Sequence, residues 1–298
     1  MSKNSPARIS AGDFVLIVVA AFWGATYLVT KDLGNHGTIG GMLAIRFAIA
    51  ASALWLFALV FQKDKFNKRE WLLGILFGLS QTFVLNLEAQ SVHFTSATNG
   101  GLIIGVSIIT VPILESIWLR NWLPKSFFLA TLIALIGLVF LVTGNGFVEP
   151  NLGDLLMFIA MVIRTFHFVI LGHQTQGKNV SPVNLTTIMV STSGVVMLVL
   201  NPITALETAK TYGPNEWATM LFLSLLCTSF AFIGMNWAVK HTSASRASLL
   251  LGTEPVWSTI LATIIGGEIM GPAGAIGALL IIGATYWGQA IESRHRNK

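Results

Sequence analysis

Two stretches decide how this chain folds: Thr95-Ser96-Ala97-Thr98-Asn99-Gly100-Gly101-Leu102-Ile103-Ile104-Gly105 and, 147 residues later, Thr242-Ser243-Ala244-Ser245-Arg246-Ala247-Ser248-Leu249-Leu250-Leu251-Gly252. A second pair, Gly12-Asp13 and Gly153-Asp154, recurs in the same order 141 residues apart. Both offsets are close to half of the 298-residue chain, which marks an internal duplication. Each stretch enters or opens a long apolar run, so the nature of those runs defines the duplicated unit.

Composition identifies them as membrane helices. Hydrophobic residues make up 54% of the chain and charged residues 10%, with mean hydropathy +0.72. Soluble domains carry about 25% charged residues, so a soluble globular enzyme is excluded, along with disorder, coiled coil and collagen. An outer-membrane barrel would alternate over strands of about 10 residues, whereas these runs approach 20, the helical length that crosses a ~30 Å hydrocarbon core. Ten segments qualify: 12–30, 39–61, 71–91, 98–119, 126–143, 153–172, 183–203, 215–238, 246–265 and 272–291. Five spans per copy is an odd number, so the two copies cross the bilayer in opposite directions. The expected fold is therefore an all-α integral membrane protein with ten transmembrane helices in two inverted five-helix repeats. It forms one transmembrane domain over 1–298, with repeat one near 10–145 and repeat two near 151–292.

The basic residues fix an orientation. Net charge is +5, and fourteen of the 18 Lys and Arg residues fall on the side of the N-terminus. Only Lys31 and Lys210 fall opposite, and Arg46 and Arg164 lie within spans. This bias puts both termini in the cytoplasm, the expected location being a bacterial cytoplasmic (inner) membrane. The first segment reads as a retained helix rather than a signal peptide, since it is span-length and is followed by Lys31-Asp32. The single cysteine, Cys227, excludes an internal disulfide and CxxC chemistry. No metal site, cofactor or nucleic-acid partner is expected; the partners are the lipid bilayer and a small-molecule substrate. HExxH, GxSxG and GxxxxGK[ST] patterns are missing, which argues against an integral-membrane enzyme and an intrinsic ATP-driven pump.

Charges inside spans cost about 2.5–3.5 kcal/mol on insertion scales, so each is a functional candidate. Arg46, Glu88, Glu115, Arg164 and Glu254 are the five. Arg164 offers a planar donor fork suited to a carboxylate or phosphate, and His167 shares its helical face. Arg164 either holds the anionic end of a substrate or pairs with Glu88, Glu115 or Glu254. Those three glutamates are also the candidates for proton coupling. Arg46 reads as structural, snorkelling or pairing locally. Pro112 and Pro255 free the carbonyls of Ile108 and Leu251 and are candidate hinges, one per repeat. Trp23, Tyr27 and Trp257 either wall a pocket or pack between helices. Asn86, Ser107 and Asn236 are polar groups that line a pathway or find partners within the bundle, with Ser107 and Thr110 inclined to bond to their own helix. Gly74–Gly78 and Gly101–Gly105 are GxxxG patterns that read as close helix packing and leave the oligomeric state open.

Several of these pieces carry a family resemblance. They are Phe22-Trp23-Gly24 with Lys31, Arg46-Phe47, Thr95-Ser96-Ala97 through Pro112, Gly153-Asp154 through His167, and Thr242-Ser243-Ala244 through Glu254-Pro255 and Gly267-Glu268. Together they span the chain, which resembles the ten-helix EamA type of the drug/metabolite transporter superfamily. The resemblance implies a secondary active carrier working by alternating access, usually exporting metabolites, amino acids or drugs. Import or exchange of a small organic anion is the alternative. Two departures stand out. Trp122-Leu123-Pro124-Lys125 replaces the first-half counterpart of Gly267-Glu268, and Arg164 stands where Trp23 repeats.

Overall fold

The computed structural model describes all residues except 1–9, 35, 63–64, 92–93, 96, 143–150, 266–270 and 297–298, and gives the backbone alone at 27–28, 31–32, 34 and 97–99. Pro150, Ser96, Gly267-Glu268 and the side chains of Tyr27, Lys31 and Asp32 therefore lie outside the described residues. Every regular element among those described is helical. The first three spans are α1 (Ala11–Gly34), α2 (Ile39–Phe61) and α3 (Lys68–Ser91). The fourth is broken into α4 (Ala97–Gly105) and α5 (Ser107–Leu119), and the fifth is α6 (Lys125–Val142). The sixth and seventh are α7 (Leu152–Thr175) and α8 (Pro182–Leu200), followed by a short α9 (Pro202–Thr211). The eighth runs from α10 (Pro214–Ser224) through a π-helical turn (Leu225–Phe230) into α11 (Ala231–His241). The ninth is broken into α12 (Ala244–Leu251) and α13 (Glu254–Ile264), and α14 (Pro272–Arg296) is the tenth. Among the described residues, nine of the ten spans are long and apolar enough to cross a membrane, and α1 is an apolar helix of 24 residues.

Several span ends shift by three to five residues, and one shift has a local cause. The seventh span ends at Leu200 rather than 203, because Asn201 leaves helical geometry and Pro202 has no N–H to continue the ladder. The connection then coils into α9, whose Thr208 hydroxyl accepts from the Thr38 backbone at 3.3 Å, at the entry to α2.

Burial is inverted relative to a soluble protein. Leu59, Leu72, Val199, Ile264 and Leu279 are each at least 70% exposed, whereas Asp13, Glu70, Arg246 and Glu292 are buried. A bilayer around the bundle satisfies both groups at once, since lipid solvates the apolar surface and the interior pairs the charges.

Helix pairing obeys a two-fold rule. The first span packs on the eighth and ninth, and the sixth on the third and fourth. The second packs on the eighth as the third does on the seventh, and the ninth on the tenth as the fourth does on the fifth. Adding five to each span number exchanges the members of every such pair, while second–seventh, fourth–ninth and fifth–tenth map onto themselves. Gly74 and Gly78 serve this packing within the chain: a Cβ on either would come within 2.6 Å of α8 atoms.

Candidate functional site

The recurring motifs turn out to be partners across the halves. A Cβ on Gly12 would sit 3.1 Å from Thr242, and one on Gly153 would sit 2.7 Å from the Thr95 nitrogen. Beside Gly12, Arg246 donates to Asp13 through Nε at 2.6 Å and Nη2 at 2.5 Å, and through Nη1 to Glu292 at 3.0 Å. The Ser243 hydroxyl completes this network by donating to Glu292 at 2.8 Å. Beside Gly153, the Thr95 hydroxyl donates to Asp154. Asp13 and Glu292 share one arginine, so the start of α1 and the last turns of α14 lie together.

Between these two contacts lies a cavity of about 170 Å³. Trp23 and Thr26 of α1, Arg46 and Phe47 of α2, and Gln81, Val84, Leu85 and Glu88 of α3 supply one side. Arg164, His167 and Phe168 of α7, Phe232 and Met235 of α11, and Glu254 of α13 supply the other. Both halves of the duplication therefore line it. Gln81, Phe232 and Met235 were not singled out from the sequence; Gln81 was within reach, being seven residues before Glu88 and so on the same face of α3.

Of the carboxylates offered to Arg164, Glu88 is in contact with it, with Oε1 3.4 Å from Nη1. Both side chains are 24% exposed, so the pair meets the cavity rather than packed protein. The guanidinium also lies 5.9 Å over the Trp23 ring. Trp23 is fixed from its other edge, donating from Nε1 to the Cys227 carbonyl at 3.1 Å. His167 is buried against Phe77, with Nδ1 3.2 Å from the Ser80 hydroxyl; its Nε2 has no partner among the described residues.

The other candidates divide by location. Glu115 is turned away from the cavity and accepts from the backbone nitrogens of Ala244 at 2.9 Å and Ser245 at 2.7 Å, capping α12. Asn86 bonds to the Thr82 carbonyl at 2.9 Å, and Asn236 to the Thr186 hydroxyl at 2.8 Å; neither reaches the cavity. Trp257 packs at the α1–α13 contact, where a Cβ on Gly24 would come within 2.8 Å of its own. Thr110 bonds across to Thr165 of α7 at 3.0 Å rather than along its own helix.

The helix breaks coincide with one of the two prolines. Pro112 lies inside α5, and the break in the fourth span falls at Val106. The ninth span breaks at Gly252–Thr253, immediately before Glu254-Pro255. At the motif offset of 147, Gly105 matches Gly252 and Ser107 matches Glu254. The breaks are thus repeat equivalents, while the prolines are not. Ser107 and Glu254 each open the second half of a broken helix, and both line a smaller adjoining cavity with Arg164. Their helix N-termini carry partial positive charge into the middle of the bundle.

Known proteins match this chain along its length. The model of the EamA-like transporter family matches twice, over residues 10–143 and 151–287. An uncharacterized transporter of Archaeoglobus fulgidus is 27% identical over 275 residues, covering 91% of this chain and 83% of that protein. The uncharacterized transporter YyaM of Bacillus subtilis is 27% identical over 284 residues, covering 90% of each. A solved crystal structure superposes with a TM-score of 0.80 at 17% identity, covering 95% of this chain and 98% of that one, a likeness of fold.

Proposed function

The chain belongs to the EamA-like transporter family, and we propose that this membrane transporter is a secondary carrier that exports a small organic solute by alternating access. The observation that carries the reading is the cavity itself. It lies between the inverted halves, is lined by both, and holds an arginine–glutamate pair open to it. Inverted repeats with broken helices at the centre are the architecture in which one half rocks against the other around a fixed site. The Asp13–Arg246–Glu292 network ties the first, ninth and tenth spans at one end, and Thr95–Asp154 ties the third and fourth spans to the sixth at the other. Alternation requires these contacts to loosen in turn. The charge bias supports a cytoplasmic side for the first of them and for both chain termini, in a bacterial inner membrane.

A charged solute group exchanges with one member of the Arg164–Glu88 pair. Glu88 and Glu254, both in the lining, are the groups through which a proton would be carried. Purified protein in proteoliposomes should show counterflow of its solute, and Arg164→Ala should reduce it at least tenfold. Solute flux that persists unchanged after the pH gradient is collapsed removes the proton from the cycle. Inward movement or exchange of an organic anion is the second reading, favoured by two guanidiniums in one lining. Flux measured separately from each face decides the direction.

A further inference from the structure

Arg46, read from the sequence as structural, lines the cavity as well as bonding within the bundle. It is 8% exposed, sits in the cavity lining, and has no carboxylate within 4.0 Å among the described residues. Its Nε donates to the Thr228 hydroxyl at 2.7 Å and its Nη2 to the Cys227 carbonyl at 3.4 Å. Nη1 has no acceptor among the described residues. The π-helical turn makes this possible. Its wider turn lets the Thr228 hydroxyl donate to the Leu223 carbonyl five residues back while accepting from Arg46, and the Cys227 carbonyl accepts from both Arg46 and Trp23. The guanidinium is therefore held by neutral acceptors, one of which, the Cys227 carbonyl, it shares with the Trp23 indole N–H.

A buried guanidinium with only neutral partners calls for an anion. Arg164 has Glu88; Arg46 has none. We propose that Arg46 receives an anionic group of the transported solute, which is accordingly a small organic anion. An incoming carboxylate displaces no protein carboxylate at Arg46, as it would at Arg164. The buried His167 Nε2 is a second nitrogen of the same lining that a solute oxygen would satisfy. Trp23, Phe47, Phe168 and Phe232 supply an apolar wall, and about 170 Å³ suits a compact body of the size of a substituted benzene ring.

This inference rests on the cavity being the solute site, and the two fail separately. Binding to the purified full-length protein is measured by calorimetry with phenylacetate and succinate, the isosteric neutral phenylacetamide, and 2-phenylethylammonium. At least one anion should bind, and bind at least tenfold more tightly than the amide and the ammonium. R46Q should weaken that anion roughly ten- to hundredfold, the loss of a charge-assisted hydrogen bond. R46K keeps the charge and decides the matter should R46Q not fold: it should weaken binding about three- to tenfold, because a compact ammonium loses the planar fork. Failure of both anions to bind, equal binding of phenylacetate and phenylacetamide, or wild-type anion affinity in the folded Arg46 variants would overturn the proposal. Proteoliposomes that move no solute would sink the carrier reading and leave the anion preference of Arg46 standing.

Discussion

Arg246 and Arg164 bring the same charge into the bundle in different company. Arg246 spends every nitrogen it offers on Asp13 and Glu292, and Asp13 is fully buried. Removing one partner of such a network leaves an uncompensated buried charge, so Arg246→Ala should destabilise the protein by about 3–5 kcal/mol, read as a lowered thermal midpoint in detergent. Arg164 meets Glu88 at 3.4 Å with both side chains 24% exposed, so Arg164→Ala should leave that midpoint nearly unchanged while solute flux falls. A midpoint that drops equally in both variants would make Arg164 structural. The sequence already showed that these charges were embedded, because each interrupts an apolar run. It could not sort the three glutamates. Helical spacing gives the face a residue occupies, but not which helix that face meets: Glu88 meets Arg164, whereas Glu115 meets the start of α12.

At the scale of elements, the broken helices depend on glycine more than on proline. Pro112 sits within a continuous α5, so Pro112→Ala should restore a backbone hydrogen bond and leave transport within about threefold of wild type. Gly252 has no such latitude. A Cβ there would lie 2.6 Å from Ile108 of α5, at the crossing of the two broken spans. Gly252→Val should therefore abolish flux or cost 1–3 kcal/mol of stability by overpacking, which flux and thermal unfolding measured on one preparation would register together. Full transport by Gly252→Val would mean that the crossing is loose. The break was legible in outline, since both motif copies end on glycine just where a half-helix stops. Proline drew the eye because its effect on a helix is local and certain. The effect of these glycines lies in a contact with another span, which one strand of sequence does not display. The π-helical turn left no such trace: Leu225–Phe230 is an ordinary apolar run until Arg46 and Trp23 are seen to use its carbonyl.

At the scale of the whole molecule, the duplication was readable because each copy kept its motifs in order, and an odd span count then forces inversion. Less readable was that the motifs of one copy would dock onto those of the other, so that Gly12-Asp13 meets Thr242 to Arg246 and Gly153-Asp154 meets Thr95. That exchange places one tie at each end of the cavity, and it gives alternating access a mechanical test. The only native cysteine, Cys227, is buried and can be replaced by serine, which keeps a donor to the Phe22 carbonyl that the thiol reaches at 3.2 Å. In that background Gly12→Cys and Thr242→Cys fall within disulfide reach, because a Cβ at position 12 lies 3.1 Å from the Thr242 methyl. Neither substitution touches the cavity or removes a charge. Oxidation should join the first and ninth spans at that end, stop flux of the solute in proteoliposomes and leave binding to the cavity intact; a thiol reductant should restore flux. If the bridge forms quantitatively and flux continues at its original rate, the first and ninth spans do not part during the cycle. The carrier would then have to open elsewhere.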